Sequence, residues 1–351
     1  MKSKTITLSL TLIFVCLFIF SMLAFPQSAK EGAIKGILLC SKVIIPSLFP
    51  FTFCVIMIIK SNITQLLNCK INKYKYLNNL NTDTAIVFFL SLIGGYPIGA
   101  KLIDELYSEG KISKMKAHIM QYCCVNAGPA FIVLFVGNNI YHSAKAGYIL
   151  LFSHIFSSFL FFVLFSFKKE SNVQKYKNAK LPPLSELFVE SVSSASQTVF
   201  SICSYVILFS TVNEIIIHLS SKLKALTVIS YLLEVTVGVN NTKNIYLTAF
   251  LLGFAGISIW LQIYSVSKNA GINLKYFVLF RVFHGVLSAI ITYILVKIFK
   301  PYIYVISTGK IETVTQKGTA EIILSIAIMI ILLIISLESK KICRKKAFDI
   351  V

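Results

Sequence analysis

Ten apolar runs, parted by short connections rich in lysine, leave this chain few folds. They lie at about Thr5–Phe25, Gly36–Ile59, Ala85–Ala100, Ala117–Gly137, Ala144–Phe167, Leu187–Leu219, Leu226–Val239, Tyr246–Val266, Tyr276–Phe299 and Ala320–Leu337. About twenty apolar residues make a helix that crosses a bilayer. Inside lipid, a helix is the single-segment structure that satisfies its own backbone. No run alternates in polarity as a half-buried strand does. The chain is 56% hydrophobic and 14% charged, with a mean hydropathy of +0.78. A soluble chain this apolar would expose patches it could not bury. The chain reads as an all-α polytopic membrane protein.

The net charge of +20 does not point to nucleic acid. The lysines sit between apolar runs, without the aromatic interleaving or folded basic face of a nucleic-acid binder. Basic residues beside spans set topology and attract membrane lipid headgroups. The eight cysteines include no C-x-x-C pair, and most lie where cysteine acts as a small hydrophobe. H-E-x-x-H, G-x-S-x-G and Walker loops are absent. The expectation is no enzyme, no catalytic residue, no metal and no cofactor. The first run is about 21 residues, longer than a signal-peptide core of about 7–15. It reads as a retained span, with a mature chain beginning near Gln27 as the alternative.

Two runs are too short to cross comfortably. One ends in Gly94-Gly95-Tyr96-Pro97-Ile98-Gly99-Ala100-Lys101, and the other carries Glu234 and ends in Gly238-Val239-Asn240-Asn241. Basic clusters at Lys2/Lys4, Lys60–Lys75, Lys168–Lys180 and Lys340–Lys346 belong in the cytoplasm by the positive-inside tendency. They all reach that side if both short segments are re-entrant hairpins. The first then opens from the cytoplasm and the second from outside. Two repeats of span–hairpin–span–span follow, inverted in orientation, with one flanking helix at each end. The parts are residues 1–34 (first helix and short loop), 35–167 (first repeat), 168–184 (polar cytoplasmic linker), 185–299 (second repeat) and 300–351 (outer loop, last helix and basic tail). Short or Gly/Pro-interrupted segments at matching places in two halves point to a transporter binding site.

Gly95 and Gly99 form a G-x-x-x-G pair that packing alone could use. Packing does not account for Pro97 or Lys101. As a hairpin tip, Gly95, Tyr96, Pro97, Gly99 and Ala100 offer free N–H groups and a helix N-terminus to an anion. Lys101 adds a charge there, or snorkels to the interface. Asn126-Ala127-Gly128-Pro129 marks a kinked helix or an unwound centre, with Asn126 and Gly128 as candidate contacts. Glu234 in an apolar segment is costly and functional by default; it reads as the ion-coupling residue, for a proton or sodium ion. Gly253, Phe254 and Gly256 mark the second broken centre. Ser258 and Gln262, four apart, share one helix face beside it. Arg281 lies near the cytoplasmic end of its span and reads as snorkelling. His284 and His154, in corresponding spans, stay open between function and packing.

These stretches together resemble the sporulation integral membrane protein YlbJ family. The motifs are Pro46-Ser47-Leu48-Phe49-Pro50-Phe51, Gly95 to Lys101, Asn126 to Ile132, Glu234 to Gly238, Phe250 to Ser258, Gln262, and Arg281 to His284, covering about Ile37 to Ile298. The family is similar to the nucleoside-recognition, or gate-domain, group. It is distantly similar to concentrative nucleoside transporters, which have two inverted repeats, each with a re-entrant hairpin and a broken helix. The resemblance implies transport of a small organic anion, dipicolinate, across the outer forespore membrane during endospore formation. A nucleoside or other solute transporter outside sporulation, or a non-transporting scaffold for spore morphogenesis, are the alternatives. The distant transporters are trimers, which implies a homo-oligomer. Ala255 stands where the family more commonly has glycine. Trp260 stands where a smaller or polar group is expected.

Overall fold

The computed structural model describes residues 2–61, 82–166, 183–220, 225–242 and 244–299. Among them every element is helical and no strand occurs. Four helical stretches are long and apolar enough to cross a membrane, or five if a bent N-terminal pair counts as one. The fold is all-α and multi-pass. The last span at Ala320–Leu337 with its loop and basic tail, most of the 168–184 linker, and most of the cluster after Lys60 lie outside the described residues.

Helix α1 (Lys2–Ala24) is apolar on all sides and exposes Leu12, Phe14, Phe20 and Leu23. Such a surface belongs in lipid. Helix α2 (Pro26–Leu39) departs from it at 100°. Pro26 can open a helix but cannot continue one without losing a backbone bond, so the break falls there. From Pro26 the backbone stays helical through a π-helical stretch, Cys40–Ile44, into α3 (Ile45–Lys60). The sequence suggests two separate spans, Thr5–Phe25 and Gly36–Ile59. The structure instead has a helix, a sharp bend, and one long rod from residue 26 to residue 60.

That rod lies antiparallel to α8 (Leu184–Ser220). Lys35 pairs with Glu214 at 2.8 Å near one end, and Lys60 with Glu190 at 2.7 Å near the other. Helix α8 has 37 residues and rises about 55 Å, against about 30 Å for the hydrocarbon core. The ends of the pair therefore reach the polar zones, where charged pairs are cheap. Close approach is set by small residues: a methyl built on Gly32 would stand 2.6 Å from the Ser210 carbonyl oxygen.

After α3 come α4 (Thr82–Gly94), α5 (Ile98–Ser108), α6 (Lys114–Cys123), a second π-helical stretch (Ala130–Ile140) and α7 (Ala144–Ser166). After α8 come α9 (Ala225–Leu233), α10 (Val235–Asn241), α11 (Ile245–Phe254), α12 (Gly256–Val266) and α13 (Leu274–Phe299). Both short segments fold back on themselves. In a straight helix Ser91 and Gly99 would lie about 12 Å apart along the axis. Here a methyl on Gly99 would stand 2.5 Å from the Ser91 Cβ. Likewise a methyl on Gly238 would stand 2.7 Å from the carbonyl oxygen of Tyr231, seven residues earlier.

Two further runs are interrupted. The first loses helix over 124–128, between α6 and the second π stretch; the second breaks at Ala255, between α11 and α12. Each broken helix meets the following span at a glycine pair, Gly137 with Gly147 and Gly253 with Gly285. One buried cluster joins the parts. It contains Tyr96 and Ala100 from the first hairpin, Val125 and Ala127 from the first break, Val235 from the second hairpin, and Ala255 from the second break.

Candidate functional site

The first hairpin tip turns through Gly95, at φ +73°, and a cis Tyr96–Pro97 peptide. Glycine takes this left-handed conformation without the Cβ penalty. The tip lies on the first break: a methyl on Gly95 would be 3.2 Å from the Gly128 nitrogen, and one on Gly99 only 1.8 Å from the Cys124 oxygen. Tyr96 reaches into the other half, where its buried hydroxyl donates to the Leu252 carbonyl of α11.

The second tip is built differently. Glu234, extended at φ −139° and ψ 119°, caps α10. Its carboxylate accepts from the Val237 N–H at 2.9 Å and the Thr236 hydroxyl at 3.0 Å, and it is 1% exposed. A carboxylate at a helix N-terminus meets the positive end of the dipole, which softens the cost of burying it. This tip lies on the second break, since a methyl on Gly256 would be 3.1 Å from the Val235 nitrogen.

The breaks are held by side chains. In the first, Asn126 donates to the Cys123 carbonyl at 2.9 Å and the Ser91 hydroxyl at 3.3 Å, while its Oδ1 is buried without a partner. The Ala127 N–H donates to His154 Nε2 at 3.0 Å. In the second, Ala255 sits at φ +71°, a left-handed conformation that glycine would take more easily. Trp260 donates from Nε1 to the Phe254 carbonyl at 2.8 Å. A smaller residue at 260 would leave that carbonyl without this donor. Ser258 and Gln262 are buried on α12, linked at 3.3 Å, and Gln262 Oε1 has no partner.

The structure therefore brings Gly95, Gly99 and Gly128 together at one tip and Glu234 and Gly256 at the other. Tyr96 bridges to the carbonyl next to Gly253. Gly253 itself packs on α13, a methyl there falling 2.6 Å from Gly285 Cα. The Lys101 ammonium is held against α8, donating to the hydroxyls of Ser194 and Thr198 at 2.7 Å each and to the Ser194 carbonyl at 3.3 Å.

Arg281 corrects the sequence reading. It does not snorkel; it is fully buried. It donates to the carbonyl oxygens of Val125, at 2.6 Å, and Tyr122, so a side chain of the second half holds the first break. His284, one turn on, lies against His154 with ring centroids 4.6 Å apart and bonds the His154 carbonyl at 3.1 Å. The signal for Arg281 was its place in an apolar helix, since ionisable residues inside spans mark function by default.

Asp104 also escaped the sequence reading. Buried on α5, it accepts from the backbone N–H groups of Asn269 and Ala270, at 3.0 and 2.8 Å, and from the Asn269 amide at 2.8 Å. The loop after α12 is thereby tied to the first hairpin. His118 of α6 bonds the Ala270 carbonyl at 3.0 Å. A second tie between halves joins Tyr141, in the loop after the first broken helix, to Thr248 of α11 at 2.6 Å. Two apolar clefts, one between α11 and α13 at Phe250 and Ala289, the other between α7 and α13 at Tyr148 and Phe299, are lined by none of the tip residues.

The chain is similar to the sporulation integral membrane protein YlbJ of Bacillus subtilis (strain 168), with 23% identity over 82% of this chain and 83% of that one. The likeness supports the YlbJ family assignment drawn from the motifs. No family model matches the chain, and no solved structure matches it.

Proposed function

We propose, with the likeness to YlbJ as premise, that this chain is a sporulation-associated secondary transporter of a small organic anion, dipicolinate foremost. The observation that carries this reading is the pairing of tips with breaks. Two folded-back segments end in non-helical tips, and each tip lies on the break of a broken helix. Non-helical backbone at membrane depth persists where protein buries it or a cavity is lined. Discontinuous helices at a midplane site are how secondary transporters present backbone donors to anions.

The order of elements supports inverted repeats. Span, hairpin, broken helix and span run as α3, α4–α5, α6 with its π stretch, and α7. They run again as α8, α9–α10, α11–α12 and α13. With the basic clusters placed in the cytoplasm, the first hairpin opens inward and the second outward. The Asp104–Asn269–Ala270 tie then closes the cytoplasmic side, and Tyr141–Thr248 closes the outer side. Alternating access is the release of one tie at a time. Glu234 takes the coupling proton or cation, and donors around Tyr96–Ala100, Asn126, Ser258 and Gln262 contact the anion. The protein makes no covalent change to its substrate, and a homo-oligomer in the lipid is its working form.

The test is uptake of labelled dipicolinate into vesicles containing the purified protein. Uptake above protein-free vesicles, with no competition from uridine, is the expected result. Competition by uridine points to a nucleoside carrier. Absence of uptake for either solute overturns transport and favours a scaffold.

A further inference from the structure

Among the described residues, Arg281 is a cation without an anion. It is 0% exposed within an apolar span, with the Phe277 and Phe280 rings 5.6 and 5.7 Å away. None of the ion pairs among the described residues involves it. Isolated charge in a low-dielectric interior costs several kcal/mol even after relaxation. A guanidinium has five N–H donors. Two bonds go to the carbonyls of Val125 and Tyr122, while Nε is buried with no partner.

A second unpartnered donor stands in the same cluster. His154 Nε2 accepts from the Ala127 N–H, so in the neutral ring the proton is on Nδ1. That Nδ1 is buried and has no partner. His284 lies against this ring. The cluster bonds to the unwound 124–128 segment at Val125 and Ala127, on which the first hairpin tip lies.

Helix capping gives part of the account. A cation near the last carbonyls of α6 meets the negative end of its dipole, which explains the bonds to Tyr122 and Val125. It leaves the Nε–H and the His154 Nδ1–H unexplained. Both are what a carboxylate needs, since a guanidinium edge can give two parallel charge-assisted bonds. A neutral nucleoside could accept hydrogen bonds there but would bring no charge to offset the buried cation.

We propose that Arg281 and His154 anchor a carboxylate of the transported anion at the first break, a role expected from sequence of the tip's backbone donors with Lys101. The inference rests on the transport reading and adds its specificity: an organic acid over its neutral isostere. Arg281 bonds the carboxylate directly, and His154 adds a donor from the opposite half. His284 positions His154 through the bond to its carbonyl.

The test is equilibrium binding of labelled dipicolinate to the full chain in lipid nanodiscs, with pyridine-2,6-dicarboxamide as neutral competitor. Dipicolinate binds, and the diamide does not displace it. Arg281→Lys, which keeps charge but loses the fork, weakens binding at least about tenfold. Arg281→Gln abolishes it, and His154→Phe weakens it by about tenfold. Should Arg281→Gln fail to fold, Arg281→Lys and His154→Phe decide the matter. If the folded fraction of both binds with the wild-type Kd, the two residues are structural and the proposal is overturned. Failure of the wild type to bind dipicolinate also overturns it. Dipicolinate uptake in Arg281→Lys at the wild-type rate and wild-type KM removes this anchor and leaves transport standing. Arg281-dependent binding without uptake keeps the anchor and removes transport.

Discussion

Gly99→Ala is the sharpest probe of how the first tip meets the first break. A methyl at 99 would stand 1.8 Å from the Cys124 oxygen, 2.9 Å from its carbonyl carbon and 2.5 Å from the Ser91 Cβ. Two of these three atoms are backbone, so no rotamer change relieves the clash. Helix α5 must move off the break by more than 1 Å, on the order of the overlap in a core overpacked by one methyl. Such overpacking costs about 3 kcal/mol at the upper end of the usual range. Replacing a helical glycine by alanine returns up to about 1 kcal/mol. The net is a destabilisation of about 2 kcal/mol, or a fall in Tm of about 3 °C for a chain of this length. Gly128→Ala is the control on the same contact. Its methyl would meet nothing nearer than 3.5 Å, so its stability stays within about 0.5 kcal/mol of wild type. The assay is thermal unfolding of the purified protein in one detergent, followed by tryptophan fluorescence and by loss of the monodisperse peak. A Gly99→Ala protein as stable as Gly128→Ala would refute close packing of the tip on the break.

Other outcomes follow from the same geometry. Ala255→Gly relieves a left-handed alanine at φ +71° and raises stability by about 1 kcal/mol, read as a higher Tm. Trp260→Phe removes the donor to the Phe254 carbonyl and costs about 1–2 kcal/mol; the variant has no tryptophan left, so its melt is followed by loss of the monodisperse peak, where wild-type stability would disprove the bond. Asp104→Ala strips the acceptor from the Asn269 and Ala270 N–H groups; amide hydrogen exchange over 267–271 should rise about tenfold or more, and unchanged protection refutes the tie. Glu234→Gln keeps the acceptor for Val237 or Thr236 but loses the charge, so the fold should survive while ion-driven dipicolinate uptake stops. Undiminished ion-driven uptake removes Glu234 from coupling.

The interruptions were legible in the sequence because broken backbone requires particular residues. A left-handed turn at 95 calls for glycine, a helix restart after 97 suits proline, and an acid amid leucine and valine at 234 stands out by cost. The second break was legible at Gly256, although the left-handed strain extends to Ala255, which composition alone would pass as helical. Trp260 looked out of place until its indole proved to bond the carbonyl that the break frees. Lys101 read as a charge for the anion or a snorkelling lysine, and Asp104, three residues on along the same helix, drew no reading. Asp104 fastens a loop 165 residues away and Lys101 is spent on α8.

The sequence by itself determined the class and the punctuation. Hydropathy settles that the chain lives in lipid, and glycine, proline and buried charge settle where its helices break, because both are local costs of backbone and solvation. The partners were decided by tertiary structure alone. Arg281 lies 156 residues from the Val125 carbonyl it holds, and Tyr96 lies 156 from the Leu252 carbonyl. The two halves exchange their contacts at the breaks, and no local pattern records which carbonyl a distant side chain will meet. Packing chooses it, since a buried donor must find an acceptor wherever the helices bring one within reach.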